Sequence, residues 1–542
     1  MSLFGALSLG GSSLAAQQTG LQVTGNNIAN AGTEGYTRQV ARLTPGGAQK
    51  VGPGQFQGMG VTVEAIQRQV NDALNESLRN STSDQAGAQT LNSFVSRIET
   101  TFGALNDNDL SARMNDFFNG FSTLATNPGD AAQRSVVVQN GASLADYLQS
   151  LRTQLFAIRT DAQAQIGTYV TQANSLCSTI ASLNQQISTT EAGQGGANTL
   201  RDQRDQALSK LAEIMDIKVV DQGNGTVNVL VGSVPVVIDT TSRGISMQTV
   251  QDPSGQFYNT QLTFGDNGDT MNASGGKIGA LLTSRDTYLT PAIQTVDQIA
   301  SGLISAVNAI HSQGQGLSGF TTLTAANQVI DPTAALSAGK TITNLDFTPV
   351  NGTFNLYVTD STTGQTTTKQ IGVNLSGQGT QTTLNSLAAS ITAAGGGTVT
   401  ATVNANGKLV ISSSNQNVKF GFGEDTSGAL ASLGLNTFFT GKDASDIAVN
   451  NVLLTDPSML AAGRNNVTGS NANAQAIALA GSAAVKLLNG KSLTDFYSDY
   501  IGDLSAHAKN ISDDVTTQGA IHDTLFAQQQ SISGVSMDEE AV

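Results

Sequence analysis

Asn26-Asn27-Ile28-Ala29-Asn30-Ala31-Gly32-Thr33-Glu34-Gly35-Tyr36-Thr37-Arg38-Gln39 lies close to the amino terminus, and its reading decides how the rest of the chain is arranged. Before it, Leu7, Leu14, Leu21 and Ile28 recur every seven residues, a spacing that sets side chains along one stripe of a helix. The stripe stops here. Asn30, Gly32 and Gly35 readily take left-handed backbone angles, so the helix is expected to end and the chain to turn. Tyr36 to Leu43 then reads as a short extended segment. By physics alone this is an ordinary helix end followed by a turn.

The letters say more. Asn26-Asn27-Ile28-Ala29-Asn30, followed by Thr33 to Gln39, resembles the amino-terminal signature of the bacterial flagellar axial proteins, the family of rod, hook and hook-associated proteins. Its commoner form has Asn at the position of Gly32, a change that leaves the turn chemistry intact. Three further stretches carry the resemblance: Gly58 to Arg68 with Asn75 and Arg79, then Gly279 to His311, and Gln528 to Glu540. Within Arg201-Asp202-Gln203-Arg204-Asp205-Gln206, the Asp-Gln-Arg-Asp run is typical of hook-associated members and generally lacking in hook and rod proteins. The resemblance covers residues 1 to about 320 and 450 to 542.

Composition bounds the alternatives. A chain of 542 residues is too long for one core, and two to four domains are expected. With 26 Lys plus Arg against 41 Asp plus Glu, the net charge is −15 and no basic cluster occurs, which argues against nucleic acid. The single Cys177 leaves no intramolecular disulfide framework and reads as a small apolar filler on a helix. No run of eighteen apolar residues suggests membrane insertion as a helix. No Lys or Arg precedes Arg38, so a cleaved secretory signal is not expected.

Helical periods dominate the first half. Val70, Leu74 and Leu78 mark one helix over Gln69 to Asn80; Leu91, Phe94, Val95, Ile98 and Phe102 mark a second beginning at Gln89. After a polar break at Asn106 to Asp109, Leu110, Met114, Phe117, Phe121 and Leu124 form a third stripe, ended by the turn Asn127-Pro128-Gly129-Asp130. From Leu144 to Ile187 apolar positions alternate steps of four and three through Leu148, Leu151, Leu155, Ile158, Ala162, Ile166, Tyr169, Ala173, Leu176, Ile180 and Leu183. One doubled step of four, Ala162 to Ile166, is a stutter in a coiled-coil heptad. A helix from about Ala131 to Thr189 is roughly 90 Å long. After Gly193 to Gly196, Thr199-Leu200-Arg201-Asp202 reads as a capping box, with Arg201 and Asp205 as a solvated i,i+4 pair.

Val219 to Ser242 and Phe257 to Phe264 alternate as a β meander, inserted before a helix with the stripe Leu289, Ile293, Val296, Ile299, Leu303, Val307 and Ile310. Residues 320–450 are rich in Thr, Ser, Asn and Gly, with strand alternation at Thr353 to Val358, Lys369 to Val373, Thr398 to Val403 and Lys408 to Ser413. Such sheets commonly bind carbohydrate or merely decorate a surface; the absence of an aromatic cluster favours decoration.

The carboxyl end returns to helix. Tyr497, Leu504, Ile511, Leu525 and Ile532 step by seven or its multiple, as the amino-terminal stripe does. Two sparse stripes of equal period are expected to pair side by side. The fold class is therefore multidomain α+β: a long-helix, coiled-coil-like bundle built from both ends of the chain, with inserted antiparallel β domains. The expected segments are 1–70 with 493–542, 71–216 with 451–492, 217–319, and 320–450.

No catalytic, cofactor or metal constellation emerges. His311, His507 and His522 lie far apart and read as solvated or seam residues, and Asp538, Glu539 and Glu540 are adjacent charges rather than an opposed pair. The resemblance implies a non-enzymatic structural protein at the junction of hook and filament, outside the cell, exported by the flagellar type III apparatus. It implies copies of itself, the hook subunit, a second hook-associated junction protein and an export chaperone as partners. The residues expected to carry assembly are Leu7, Leu14, Leu21, Ile28, Asn26, Asn27, Asn30, Gly35, Tyr36, Leu504, Ile511, Leu525 and Ile532. Family members usually continue for several helical turns past the position of Val542, so a shortened end is expected. The rival readings are the hook subunit and, from another class, a secreted adhesin or polysaccharide-active protein.

Ordering one backbone residue costs about 1–2 kcal/mol, whereas a buried Leu returns about 1.5–3 kcal/mol. One large apolar residue per heptad does not balance that in a lone helix. Amide hydrogens of residues 3–29 in dilute monomer are expected to exchange far faster than those of residues 144–187; equal protection overturns the expectation.

Overall fold

Leu3–Asn30 is a single helix, α1, ending where the Asn and Gly residues of the signature begin. The computed structural model describes residues 3–103, 109–192, 196–252 and 255–541. The expected breaks at Asn106 to Asp109 and Gly193 to Gly196 fall largely outside the described residues, and Val542 does so entirely. After α1 come β1 (Gln39–Pro45), β2 (Ala48–Gly52), β3 (Gln55–Gly58) and β4 (Val61–Arg68). Helices α2 (Asp72–Phe102), α3 (Leu110–Thr126), α4 (Ala131–Ala192) and α5 (Asn198–Ile214) follow. Then come β5 (Lys218–Asp221), β6 (Val227–Val231), β7 (Val234–Ile238), β8 (Thr241–Ser242), β9 (Ile245–Gln251) and β10 (Tyr258–Phe264). The helical segments α6 (Gly276–Thr283), a π-helical turn Ser284–Leu289 and α7 (Thr290–His311) lead into the β-rich region and, last, the carboxyl-terminal helix Leu493–Ser533.

The chain divides into two compact units: Met1–Ser96 with Arg159–Tyr288 and His507–Val542, and Arg97–Ile158 with Leu289–Ala506. These cut across the four segments drawn from the sequence, because α2, α4 and the carboxyl-terminal helix each give residues to both units.

In the first unit, β1 pairs antiparallel with β4 from Gln39↔Arg68 to Pro45↔Val61, and α1 packs on this pair. The two terminal stripes do not pair within the chain: Leu7, Leu14 and Leu21 are 68 %, 64 % and 72 % exposed, and α1 buries Ala16, Val23 and Asn27 instead. The helices expected over Gln69 to Asn80 and from Gln89 are one helix, α2, which runs unbroken through a polar middle where Thr82 Oγ1 donates back to the carbonyl of Leu78. β5 to β8 form the expected meander and β9–β10 a hairpin. The buried Asn184 of α4 holds this sheet, donating to the carbonyl of Val227 at 2.8 Å and accepting its N–H at 3.2 Å. Along α4 the heptad is buried as expected from Leu144 to Ile187 except at Tyr169 and Leu176, which are half-buried while their neighbours Val170 and Cys177 are buried. Burial pushes the Cys177 thiol up to about 12.

In the second unit, Leu110, Met114, Phe117, Phe121 and Leu124 of α3 are all buried, and Phe117 meets Phe121 and Phe438 edge-on at 5.3 and 5.2 Å. The buried Arg134 has no carboxylate partner among the described residues; it donates to the carbonyl of Pro128 at 2.6 Å and of Leu460 at 2.6 Å. Residues 320–450 form two three-stranded sheets, but they also hold the helices Leu384–Ala394 and Ala429–Leu433, which strand alternation did not reveal. Thr383 and Ser386 cap the first of these reciprocally.

Of the two readings of His311, solvated or seam, the structure excludes the solvated one. The residue is fully buried, its Nδ1 2.8 Å from the carbonyl of Asn436 and its Nε2 accepting the N–H of Ala461 at 3.0 Å, so the ring is a neutral bridge. Burial lowers its pKa from 6.5 to about 4. Its stabilisation is therefore present above pH 6.5 and lost as pH falls towards 4, by at most about 3 kcal/mol. In the same unit, burial raises Asp297 to about 6 against the pull of Arg152, so that group's contribution runs the other way and is lost as pH rises through 6. His311→Gln is expected to remove the acid-side loss between pH 6.5 and 4 while keeping the Asp297 slope, as read from chemical denaturation across that range; unchanged slopes overturn it.

Candidate functional site

The signature turn is held by side chains that come from four distant parts of the chain. Asn27, the last buried residue of α1, is only 1 % exposed. Its Oδ1 accepts from the Tyr36 hydroxyl at 2.8 Å and from the Gln39 N–H at 3.1 Å. Its Nδ2 donates to the Gln39 carbonyl at 2.9 Å and to Glu540 Oε2 at 3.1 Å. Both acceptor lone pairs and both donor hydrogens are used.

The carboxyl terminus reaches the turn through the short helix Met537–Glu540, which Ser536 caps. Arg38 Nε donates to Glu540 Oε1 at 2.6 Å and its Nη1 to Glu539 Oε2 at 3.1 Å, while the Arg38 N–H donates to the carbonyl of Ser533 at 2.9 Å. The Glu540 side chain is only 4 % exposed.

From the other side, α5 closes on the same turn. Arg68 at the end of β4 bonds Asp202 at 2.8 Å and Asp205 at 2.7 Å, and Asp202 also accepts the Thr37 N–H at 3.4 Å. Burial works against the Arg68 charge, but Asp205 and Asp202 outweigh it and hold the guanidinium protonated; burial pushes the Asp202 carboxyl up while Arg68 pulls it back. The short contacts from one guanidinium to two carboxylates keep the cluster ionised. Burial, then the charges of Asp202 and Glu540, push the Tyr36 hydroxyl up. Gln206 donates to the Glu34 carbonyl. At Gly35, whose φ is +76°, a Cβ would lie 2.3 Å from Gln206 Nε2, so any other residue is strained and displaces the Gln206 side chain.

The expected capping box at Thr199 to Asp202 and the Arg201–Asp205 pair are not formed. Helix α5 has Ala197 before it with no side-chain cap, Arg201 pairs with Glu191 at 2.7 Å, and Arg204 is buried against Asn184 and the carbonyl of Gly225. The tertiary partners outbid local ones because they are close to a buried cation.

Of the residues expected to carry assembly, Asn27, Gly35 and Tyr36 meet in this knot, and Ile28 is half-buried beside it. Asn26 is exposed and only accepts from Asn30 Nδ2 at 2.8 Å. Leu7, Leu14 and Leu21 stand free of the body. Leu504 is buried in the second unit, Ile511 in the first, and Leu525 and Ile532 are half-buried there. Arg68, Asp202, Asp205, Gln206 and Glu540 were not anticipated as parts of one site. The signal lay in the resemblance, which had marked all five positions' segments separately.

A model of the flagellar hook-associated protein FlgK helical domain matches residues 95–324, and one of the flagella basal body rod protein matches residues 7–37. Flagellar hook-associated protein 1 of Escherichia coli is 29 % identical over 98 % of this chain and 92 % of its own length. The chain is similar to flagellar hook-associated protein 1 along almost its whole length. The Salmonella typhimurium protein of that name is 28 % identical over 98 % of this chain and 93 % of its own, and the Bacillus subtilis one 33 % over 38 % and 42 %. The solved hook junction protein FlgK from Burkholderia pseudomallei has a similar fold, with a TM-score of 0.53 and 18 % identity over 84 % of this chain and all of that one.

Asn27→Ala leaves four partners unpaired in a dry site and is expected to lower stability by about 2–4 kcal/mol and to free residues 533–541 for proteolysis. The neighbouring Asn26→Ala is expected to change stability by less than about 1 kcal/mol. Equal effects in thermal melts and limited proteolysis overturn the assignment.

Proposed function

We propose that many copies of this chain form the extracellular layer that joins hook to filament in the bacterial flagellum, as in the hook-associated protein 1 family. One observation carries the mechanism: the knot fixes the root of α1 while the remainder of that helix holds Leu7, Leu14 and Leu21 out of any core. Leaving three leucines in water costs about 1.5–3 kcal/mol each relative to burial, and packing against neighbouring copies returns it. A contact between different patches of successive copies does not close on itself and so builds a tube.

Charge supports α1 as the element that meets other copies. The chain carries a net charge of −15, yet no charged side chain precedes Glu34, so α1 is the surface that copies can bring together without like-charge repulsion. The partners proposed are further copies, the hook subunit, a second hook-associated junction protein beyond it, and an export chaperone that covers the exposed ends before assembly. Nucleic acid does not fit an acidic surface, and no helix among the described residues is long and apolar enough to cross a membrane. The role is that of a scaffold rather than a catalyst, with residues 320–450 as an inserted β module on its surface. The hook-subunit and adhesin readings have no support from the relatives, which match along 98 % of the chain.

Cells lacking the protein are expected to show hooks without filaments by electron microscopy and flagellin lost to the medium. A gene encoding Leu14→Asp with Leu21→Asp is expected not to restore filaments, although the protein folds; filaments in either strain overturn the reading.

A further inference from the structure

In the β-rich region, Gly352–Asp360 lies between Thr366–Val373 and Val418–Gly423, with Tyr357 opposite Gly421 and Thr359 opposite Lys419. Leu356, Phe420 and Phe422 turn into the core, so Tyr357, Thr359, Ser361, Lys419 and Gly421 share the opposite face. The strap Gly314 to Phe320 overhangs that face, and together they enclose a cleft of about 270 Å³. Asn466 forms a further wall, pinned by its N–H to Gln315 Oε1 at 2.7 Å and by its amide to Thr366 Oγ1 at 2.8 Å.

The strap is tied down by alternate amides: Gln315 to the carbonyl of Gly463 at 2.9 Å, Leu317 to Ser458 at 2.8 Å and Phe320 to Phe420 at 2.8 Å. The amides of Gly316, Ser318 and Gly319 have no acceptor among the described residues. Lys419 has no ion pair among them either, and no carboxylate is among the residues lining the cleft. Half-buried Lys419 and unpaired amides lining one cleft fit a single carboxylate, and the Ser361 hydroxyl, the Asn466 amide and the Thr359 hydroxyl, which is shared with Thr366 Oγ1 at 2.8 Å, fit a polyhydroxylated ring. The volume suits one ring. We propose that this cleft binds one acidic sugar residue, its carboxylate on Lys419 and the strap amides, its hydroxyls on Thr359, Ser361 and Asn466.

The proposal is independent of the assembly role. Calorimetric titration of the full chain with trigalacturonate and with uncharged galactotriose is expected to show about tenfold tighter binding of the acidic trimer. Lys419→Gln is expected to erase that preference, and Ser361→Glu, at an exposed position, to abolish binding of the acidic trimer, with melting temperatures unchanged. Failure of the wild-type chain to bind, equal binding of the two sugars, or a preference that survives Lys419→Gln overturns the proposal. Should Lys419→Gln fail to fold, retained acidic binding by Ser361→Glu overturns it.

Discussion

The structure depends on one amide. Asn27 has both lone pairs and both hydrogens engaged at once, with partners that lie on the turn after α1, on β1 and on the helix Met537–Glu540. A carboxylate at that position could accept from Tyr36 and Gln39 but not donate to Glu540, and an alkyl group could do neither. In a dry site each missing bond leaves a partner unsatisfied rather than merely weakened. The two ends of the chain are therefore joined by side-chain chemistry at the base of α1, not by packing along its length.

That distinction explains what could be read from the letters and what could not. Periodicity reports which side chains of a helix share a face, so the buried rows of α3, α4 and α7 were legible as they stand. The equal periods of the two terminal stripes were legible as well, yet period states only that two stripes can pair. In the chain itself α1 chose the small, flat face of β1 and β4, and its leucines stayed outside. Past the stutter Ala173, Ile180, Leu183 and Ile187 stay in the buried row, and only at two positions do the neighbours Val170 and Cys177 go deeper than Tyr169 and Leu176.

Charged and polar residues were the least legible. Local rules assigned Asp202 to a cap and Asp205 to a solvated pair with Arg201; the fold gives both carboxylates to Arg68, more than a hundred residues earlier. For His311 the letters leave solvent and seam open, and the fold makes it a neutral bridge in the core. A polar side chain goes where its partner is, and the partner is set by tertiary contacts that no window of sequence contains. The short helices among the Thr- and Gly-rich strands escaped for a related reason: Leu384–Ala394 is only 11 residues long, too short for its period to stand above the surrounding alternation.

On the assembly role proposed above, knot and stripe divide the labour. The net charge of −15, none of it on side chains before Glu34, opposes random contact between copies over about 8 Å at physiological salt. The apolar helix proposed to override this repulsion is rooted by a fully bonded amide, so the direction in which it leaves β1 and β4 is set at its base even where its outer turns fray. Fixing direction first removes part of the ordering entropy that association otherwise opposes. An unrooted helix with the same leucines would be equally sticky but would lack a preferred geometry, and a layer with defined register needs both.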